Sequence, residues 1–318
     1  MFFSKKYFVL ILAFFCSYFC SCYRVPDQIN PRVSYEVQDE HFKNLKNPFP
    51  PLSGSDAASD WGREMIIAKA FADELDLYRA ISTYKRAKIL APEASRKLEI
   101  EYEILLCYFL AKRYDEAIEA FDQSGLSRVD KNFPAYHDLL LILYECYGEL
   151  CLEEKQERIL ELLQKSYPET AEKVRVSRAI RTGNLSEIKE FAAGFPKDSY
   201  LDQMLNQYEM EKKSVATAQT LNALLPGAGY LYIGQKRSAL TAFLLNGLFI
   251  TAAVEFFLHD HIAAGIITSS FEAGWYFGGI YGAGEEAKYY NERVYEKNAG
   301  QVLNDKKLFP VLMIEYGF

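Results

Sequence analysis

Glu272 has the strongest chemical character of any residue in this 318-residue chain. It lies midway along an apolar run, residues 261 to 283, where lipid surroundings make a charged carboxylate costly. A residue kept there despite that cost is paired, or it handles protons or ions. Asn246 is the partner that the spacing supplies. Glu272 lies 12 residues beyond Asp260, and Asn246 lies 14 before it. On two helices joined at His259-Asp260-His261 their depths differ by ~3 Å, at ~1.5 Å per residue. A hydrogen bond between a protonated Glu272 and Asn246 is the expectation. Glu255 lies near the turn, within reach of water, and completes the candidate polar site.

Cys22 offers the second piece of chemistry. Lys5 and Lys6, the apolar stretch from Tyr7 to Phe15, and then small and sulfur-bearing residues lay out an export signal over residues 1–22. Ser21 before Cys22 suits processing in which the thiol takes a lipid. Cys107, Cys146 and Cys151 show no metal or redox spacing and read as buried free thiols. Four histidines, with His137 standing alone, leave no nucleophile–base arrangement in view. No catalytic residue, cofactor or metal is expected. A formal charge of -7 and a pI near 5.4 argue against nucleic acid as a partner.

The elements that must position these groups follow from where the apolar residues fall. Half of the residues are hydrophobic, yet mean hydropathy is -0.13, so apolar character must be concentrated locally. It is concentrated at 214–287. Ser238 to Leu258 and His261 to Ala283 are runs of 21 and 23 residues, each enough to cross a bilayer as a helix. Ser270, Gly274, Gly278 and Gly282, at four-residue spacing, give the second helix a face for close backbone contact. Glu272 lies on another face with Gly265, Ser269 and Tyr276. Lys236, Arg237, Lys288 and Arg293 flank the pair and belong on the cytoplasmic side, whereas export places the N-terminal part outside. A third, broken membrane element at 215–234 reconciles the two. Residues 23–60, rich in Pro, Asn, Asp and Ser, read as a disordered linker, and 288–318 as a tail packing on the membrane domain or a partner.

Between linker and membrane segment, over 61–213, apolar residues recur at helical spacing in a pattern that itself repeats. Ala68, Phe71, Ala80, Tyr84, Ala87 and Pro92 form the first unit. Tyr108, Ala117 and Phe121 restate it, with Ala117 standing 37 residues after Ala80. Small residues at 68 and 80 let two helices approach, Phe71 and Tyr84 fill the space between units, and Pro92 ends the second helix. Residues 61 to 125 thus resemble the tetratricopeptide repeat (TPR). Helical spacing continues more weakly through Leu140, Tyr147, Leu160 and Pro168, then through helices 171–182 and 186–194 around Gly183-Asn184. The resemblance implies an all-α solenoid of roughly four helix pairs whose groove binds peptides or partner proteins. Tyr78, Tyr102, Tyr108 and Tyr136 are its candidate lining.

A second resemblance rests on Pro226, Gly227, Gly229, Tyr232 and Gly234. This Pro-Gly-x-Gly-x-x-Tyr-x-Gly run before a transmembrane helical hairpin is similar to a family of small bacterial membrane domains. They are often appended to TPR-containing envelope proteins, and their role is undefined. The combined expectation is a non-enzymatic TPR scaffold of the bacterial cell envelope, acting in envelope assembly or secretion. It is anchored in the inner membrane with its repeats on the periplasmic side. It binds protein partners and membrane lipid, and forms a homo-oligomer through the glycine face. The alternatives are an outer-membrane assembly lipoprotein, and a small transport or channel subunit using Glu272 and Asn246.

Overall fold

The computed structural model describes residues 24–35, 39–194 and 199–318, and they are built from helices. Among the described residues there is no β-strand. One isolated parallel bridge joins Lys46 and Tyr316. The all-α expectation therefore holds, while the export signal and Cys22 lie outside the described residues. The chain divides into two compact units: the residues up to Val33 with Arg181–Ala299, and Ser34–Ile180 with Gly300–Phe318.

The second of these, the paired-helix unit, begins with two short helices, α1 (Asp39–Lys43) and α2 (Gly54–Ala58). Three helix pairs follow: α3 (Asp60–Asp73) with α4 (Leu77–Leu90), α5 (Ala94–Leu110) with α6 (Tyr114–Asp122), and α7 (Tyr136–Glu149) with α8 (Glu153–Ser166). One turn geometry recurs in all three pairs. Leu75, Lys112 and Cys151 take positive φ of 58°, 55° and 56°. The next residue's N–H reaches back to an aromatic residue's carbonyl: Asp76 to Phe71 at 2.8 Å, Arg113 to Tyr108 at 2.9 Å, Leu152 to Tyr147 at 2.8 Å. This cap satisfies helix-end carbonyls and sends the chain back along the helix it has left. Cys151 is exposed on its turn, whereas Cys107 and Cys146 are buried as expected.

Packing explains why the first two pairs are legible in sequence and the third is not. Ala68, Ala80, Ala87 and Ala117 are fully buried, as close helix approach requires. In the third pair Gln156 stands five residues past the turn residue, where the other pairs have Ala80 and Ala117. Its amide donates to the Tyr144 carbonyl at 3.2 Å and fills the space beside Gly148, where a Cβ would collide with it. The small residue has moved to the facing helix. Tyr84, Tyr102, Leu105, Leu106, Leu141 and Ile142 fill the core.

The other, long-helix unit holds residues 24–33, the end of α9 (Pro168–Thr182), α10 (Leu185–Gly194), α11 (Tyr200–Glu211), α12 (Val215–Leu224), α13 (Ala228–Tyr232), α14 (Lys236–Leu258) and most of α15 (Ile262–Asp305). Gly183, at φ 67°, makes the expected turn between α9 and α10. Val25, Val215, Ala218, Ile233 and Ala287 form a small core covered by Tyr230 and Tyr232. Asn291 clamps the junction before α12, accepting from Lys213 N at 2.7 Å and donating to Lys213 O at 2.8 Å. The backbone N–H groups of Asn30 and Arg32 donate to Glu292 (2.9 Å) and Glu296 (2.6 Å) on α15.

Three expectations are corrected by this arrangement. The described part of segment 23–60 is not a free linker: Val25 and Ile29 are buried, and residues 47–51 lie along the helices of their own unit. Segment 215–234 does not form a crossing element. α12 has ten residues and α13 five, and the chain reverses at Pro226-Gly227, short of the ~30 Å of a hydrocarbon core. The tail, finally, belongs to the paired-helix unit, where Leu308, Phe309, Ile314 and Phe318 are buried.

Candidate functional site

On α14 the usual sense of burial is inverted. Ala239, Asn246 and Ala253, seven residues apart, are the buried positions, whereas Leu240, Phe243, Leu244, Leu248, Val254 and Leu258 point outward. The first half of α15 behaves alike: Gly265 and Glu272 are buried, and Ile262, Ile266, Ile267, Phe271 and Trp275 are exposed. Small and polar residues point inward while large apolar ones face away. Among the described residues α14 alone is long and apolar enough to cross a membrane, with a mean hydropathy of 1.8 over its most apolar window. The second expected span is not a separate element. Its helix runs on for 44 residues to Asp305.

The turn joining the two helices has the cap geometry of the other unit. Asp260 sits at φ 60° and His261 N–H bonds the Phe256 carbonyl at 2.8 Å. Glu255 is exposed beside this turn and lies 3.3 Å from His259, as expected of a water-reaching residue. The polar pair is different from its expectation. Asn246, 3% exposed, donates through Nδ2 to the Ala242 carbonyl at 2.6 Å, and its Oδ1 has no partner. Glu272, 9% exposed, has no partner on either oxygen. The two do not bond each other. Equal depth did not suffice, because the Asn246 amide turned back onto its own helix.

The glycine face is also only partly used. A Cβ on Gly274 or Gly278 would meet open space, whereas one on Gly282 would meet the Tyr230 hydroxyl at 2.5 Å. Gly274 and Gly278 line an open cleft of about 710 Å³ with Ser238, Thr241, Asn246 and Glu285. The Pro226 motif does local work. Gly227 takes φ 93°, gives its N–H to Asn222 Oδ1 at 2.8 Å, and lies so close to the Ala239 carbonyl that no side chain fits. Gly234 turns the chain at φ 88°. Gly229 is wedged beside Asn222 and Ala283, and the Tyr232 hydroxyl accepts from Ser214 N at 3.2 Å.

In the paired-helix unit the TPR-type positions Ala68, Ala80, Tyr84, Ala87, Tyr108 and Ala117 are buried, Phe71 and Phe121 are half-buried, and Pro92 is exposed just past α4. Of the groove candidates, Tyr102 and Tyr108 are buried, Tyr136 is half-buried, and Tyr78 is exposed. Tyr102 and Phe133 flank the ring of Phe49, at 5.7 and 5.5 Å. The Asp138 carboxylate, fully buried, accepts two backbone N–H groups of the tail, Glu315 at 3.0 Å and Tyr316 at 2.8 Å. Its other oxygen lies 2.8 Å from His137 Nδ1, and His137 Nε2 lies 3.0 Å from the Thr170 hydroxyl. Thr170, His137 and Asp138 thus stand in the order of a nucleophile relay. Sequence reading missed it because Thr170 is 33 residues from His137. The carboxylate is engaged with the tail, and the relay acts here as a clamp on extended backbone.

Glu103 is a fully buried acid of this unit. Burial, reinforced by the Glu99 charge, pushes its carboxyl up to about 8. It accepts from the Asn47 amide at 2.9 Å and has no partner on the other oxygen. No known family, curated protein or solved structure matches the chain.

Proposed function

We propose that this protein is a membrane-anchored TPR scaffold of a bacterial cell envelope that holds extended segments of partner proteins. The observation that carries this reading is the extended chain already lying across α5 and α7, where Asp138, Glu103 and the aromatic residues around Phe49 engage it. A surface with carboxylates for backbone N–H groups and sockets for rings has the chemistry to take a foreign segment. The shared caps at Leu75, Lys112 and Cys151 support the repeat reading beyond the two units visible in sequence.

Membrane anchorage draws its support from α14 and α15, whose outward apolar side chains suit lipid and whose inward Gly, Ala and Asn suit helix contact. Val25 packs with Val215 of α12, Ile233 just before α14 and Ala287 of α15. A lipid on Cys22 and a hairpin entering the same leaflet are compatible without a third crossing. Cys22→Ala should abolish acyl labelling while the protein stays in carbonate-washed membranes. Its release into the soluble fraction would refute the hairpin anchor. A photo-crosslinker at Tyr78 or Tyr136 in the full chain should capture protein partners in cells, and capture of lipid alone would refute the scaffold.

The transport reading keeps one observation in its favour, the unpartnered Oδ1 of Asn246 and both unpartnered oxygens of Glu272. A flux assay on Glu272→Gln decides it. Unchanged growth and no flux support the scaffold, and loss of a measured flux with normal abundance supports transport.

A further inference from the structure

Residues Asn47-Pro48-Phe49-Pro50-Pro51 cross the α5 surface of the paired-helix unit in a way that resembles a bound peptide more than a loop. Three of the five residues are prolines, so only Phe49 between residues 48 and 51 carries a backbone N–H. That N–H bonds Asn47 Oδ1 at 2.8 Å, inside the segment itself. Nothing on its backbone needs a donor or acceptor ladder from the helices. The helices meet it instead with what such a ligand offers, which is carbonyl oxygens, ring faces and one amide.

Each of these has a dedicated partner. Arg96 donates to the Pro50 carbonyl at 2.9 Å and to the Pro51 carbonyl at 3.3 Å. Glu99 holds the guanidinium from behind at 2.7 Å, and Trp61 lies under it at 5.9 Å. The Phe49 ring enters the socket of Tyr102 and Phe133, which themselves meet at 6.0 Å. Asn47 Nδ2 donates to Glu103, whose carboxyl is fully buried. Pro50 and Pro51 remain exposed, and Asn47, Pro48 and Phe49 are only half-buried, so the segment lies on the surface and is no part of a core. Past Phe49 and Pro50 a cavity of about 700 Å³ continues beside Arg128, Asn132 and Pro134, leaving room for more chain than the segment supplies.

We infer that the α5 surface is a binding site for proline-rich segments centred on an aromatic residue, and that Asn47–Pro51 occupies it in cis until a partner segment displaces it. The inference rests on the scaffold reading and names the class of partner that reading lacks. In the free protein the site is closed by an intramolecular ligand whose effective concentration is high, so a partner binds well only when it is longer or tethered close by.

The experiment uses the full chain in detergent micelles and a fluorescent synthetic peptide of residues 46–52, read by anisotropy. Phe49→Ala empties the ring socket and should bind the peptide at least tenfold more tightly than wild type. Asn47→Ala, which removes the Glu103 contact and the acceptor of the Phe49 N–H but leaves the ring in its socket, should give a smaller increase. The gain should vanish when Arg96→Leu is added to Phe49→Ala, and a peptide carrying Ala at position 49 should not bind. Far-UV ellipticity and thermal melting confirm that each variant is folded. If folded Phe49→Ala and Asn47→Ala bind no more peptide than wild type up to millimolar concentration, the segment is a fixed part of the fold and the inference is overturned. In that event crosslinked partners still captured from cells would leave the scaffold reading standing, and their absence would remove it as well.

Discussion

The two units solve helix packing with opposite signs. In the paired-helix unit, Leu105, Leu106, Leu141 and Ile142 point inward and the exposed positions are largely polar, so burial of apolar area drives assembly. Along α14 and the start of α15, Ala239, Gly265, Asn246 and Glu272 point inward and the Leu, Ile and Phe residues point out. Apolar burial contributes less to the second arrangement, because its inward residues are small or polar. The same cap closes the turns of both regions, and they differ in which side chains they turn inward.

That contrast is broken most directly by one substitution on each side. Leu105→Ala in the paired-helix core should cost about 2–5 kcal/mol in denaturant unfolding of the full chain in micelles. Leu244→Ala, outward on α14, should leave the same transition unmoved. A second pair sharpens it. Leu244→Arg places a charge where lipid is expected and should cost ~2.5–3.5 kcal/mol of insertion, read as loss of membrane-integrated protein. Ile89→Arg, at a still more exposed apolar residue of α4, should change stability by under ~0.5 kcal/mol.

Burial of an acid tests the water-folded side through pH. The folded Glu103 carboxyl titrates near 8 against an ordinary 4.5. Between those values the unfolded chain has released a proton that the folded chain retains, so stability falls as pH rises from about 4.5 to 8 and then levels off. Glu103→Gln keeps an acceptor for Asn47 and removes the titration. It should flatten that slope and add on the order of 1–3 kcal/mol above neutral pH. A small effect is expected at the acid of the other unit. Glu272 has no partner to lose, so Glu272→Leu should shift micelle stability by less than ~1 kcal/mol, toward higher stability.

Local features were legible in sequence, and distant ones were not. Ala68, Ala80 and Ala117 marked close helix contacts, Gly183-Asn184 marked a turn, and His259-Asp260-His261 marked the end of α14, because each is a local steric requirement. The third pair was faint because Gln156 and Gly148 exchange the large and small roles across a helix interface. The length of α15 was missed because hydropathy falls after Ala283, while Glu285, Glu286, Ala287 and Lys288 are good helix formers that carry the helix onward. The positions of Asn47–Pro51 and of the tail depend on contacts with Glu103, Arg96, Tyr102 and Asp138, far away in sequence, and no periodicity announces them. The relay at Thr170 and the unbonded pair at Asn246 and Glu272 belong to the same class. They are set by side-chain direction, which spacing alone does not fix.

Labelling the protein from inside a bilayer tests the two-surroundings account at its centre. The full chain is reconstituted in vesicles with a lipid-soluble carbene-generating probe, and labelled residues are mapped by mass spectrometry. Leu240, Phe243, Leu244, Leu248, Ile266 and Phe271 should carry label. Ala239, Asn246 and Ala253 should not, nor should residues 60–170. Label spread evenly over the paired helices, or absent from the outward face of α14, would contradict it.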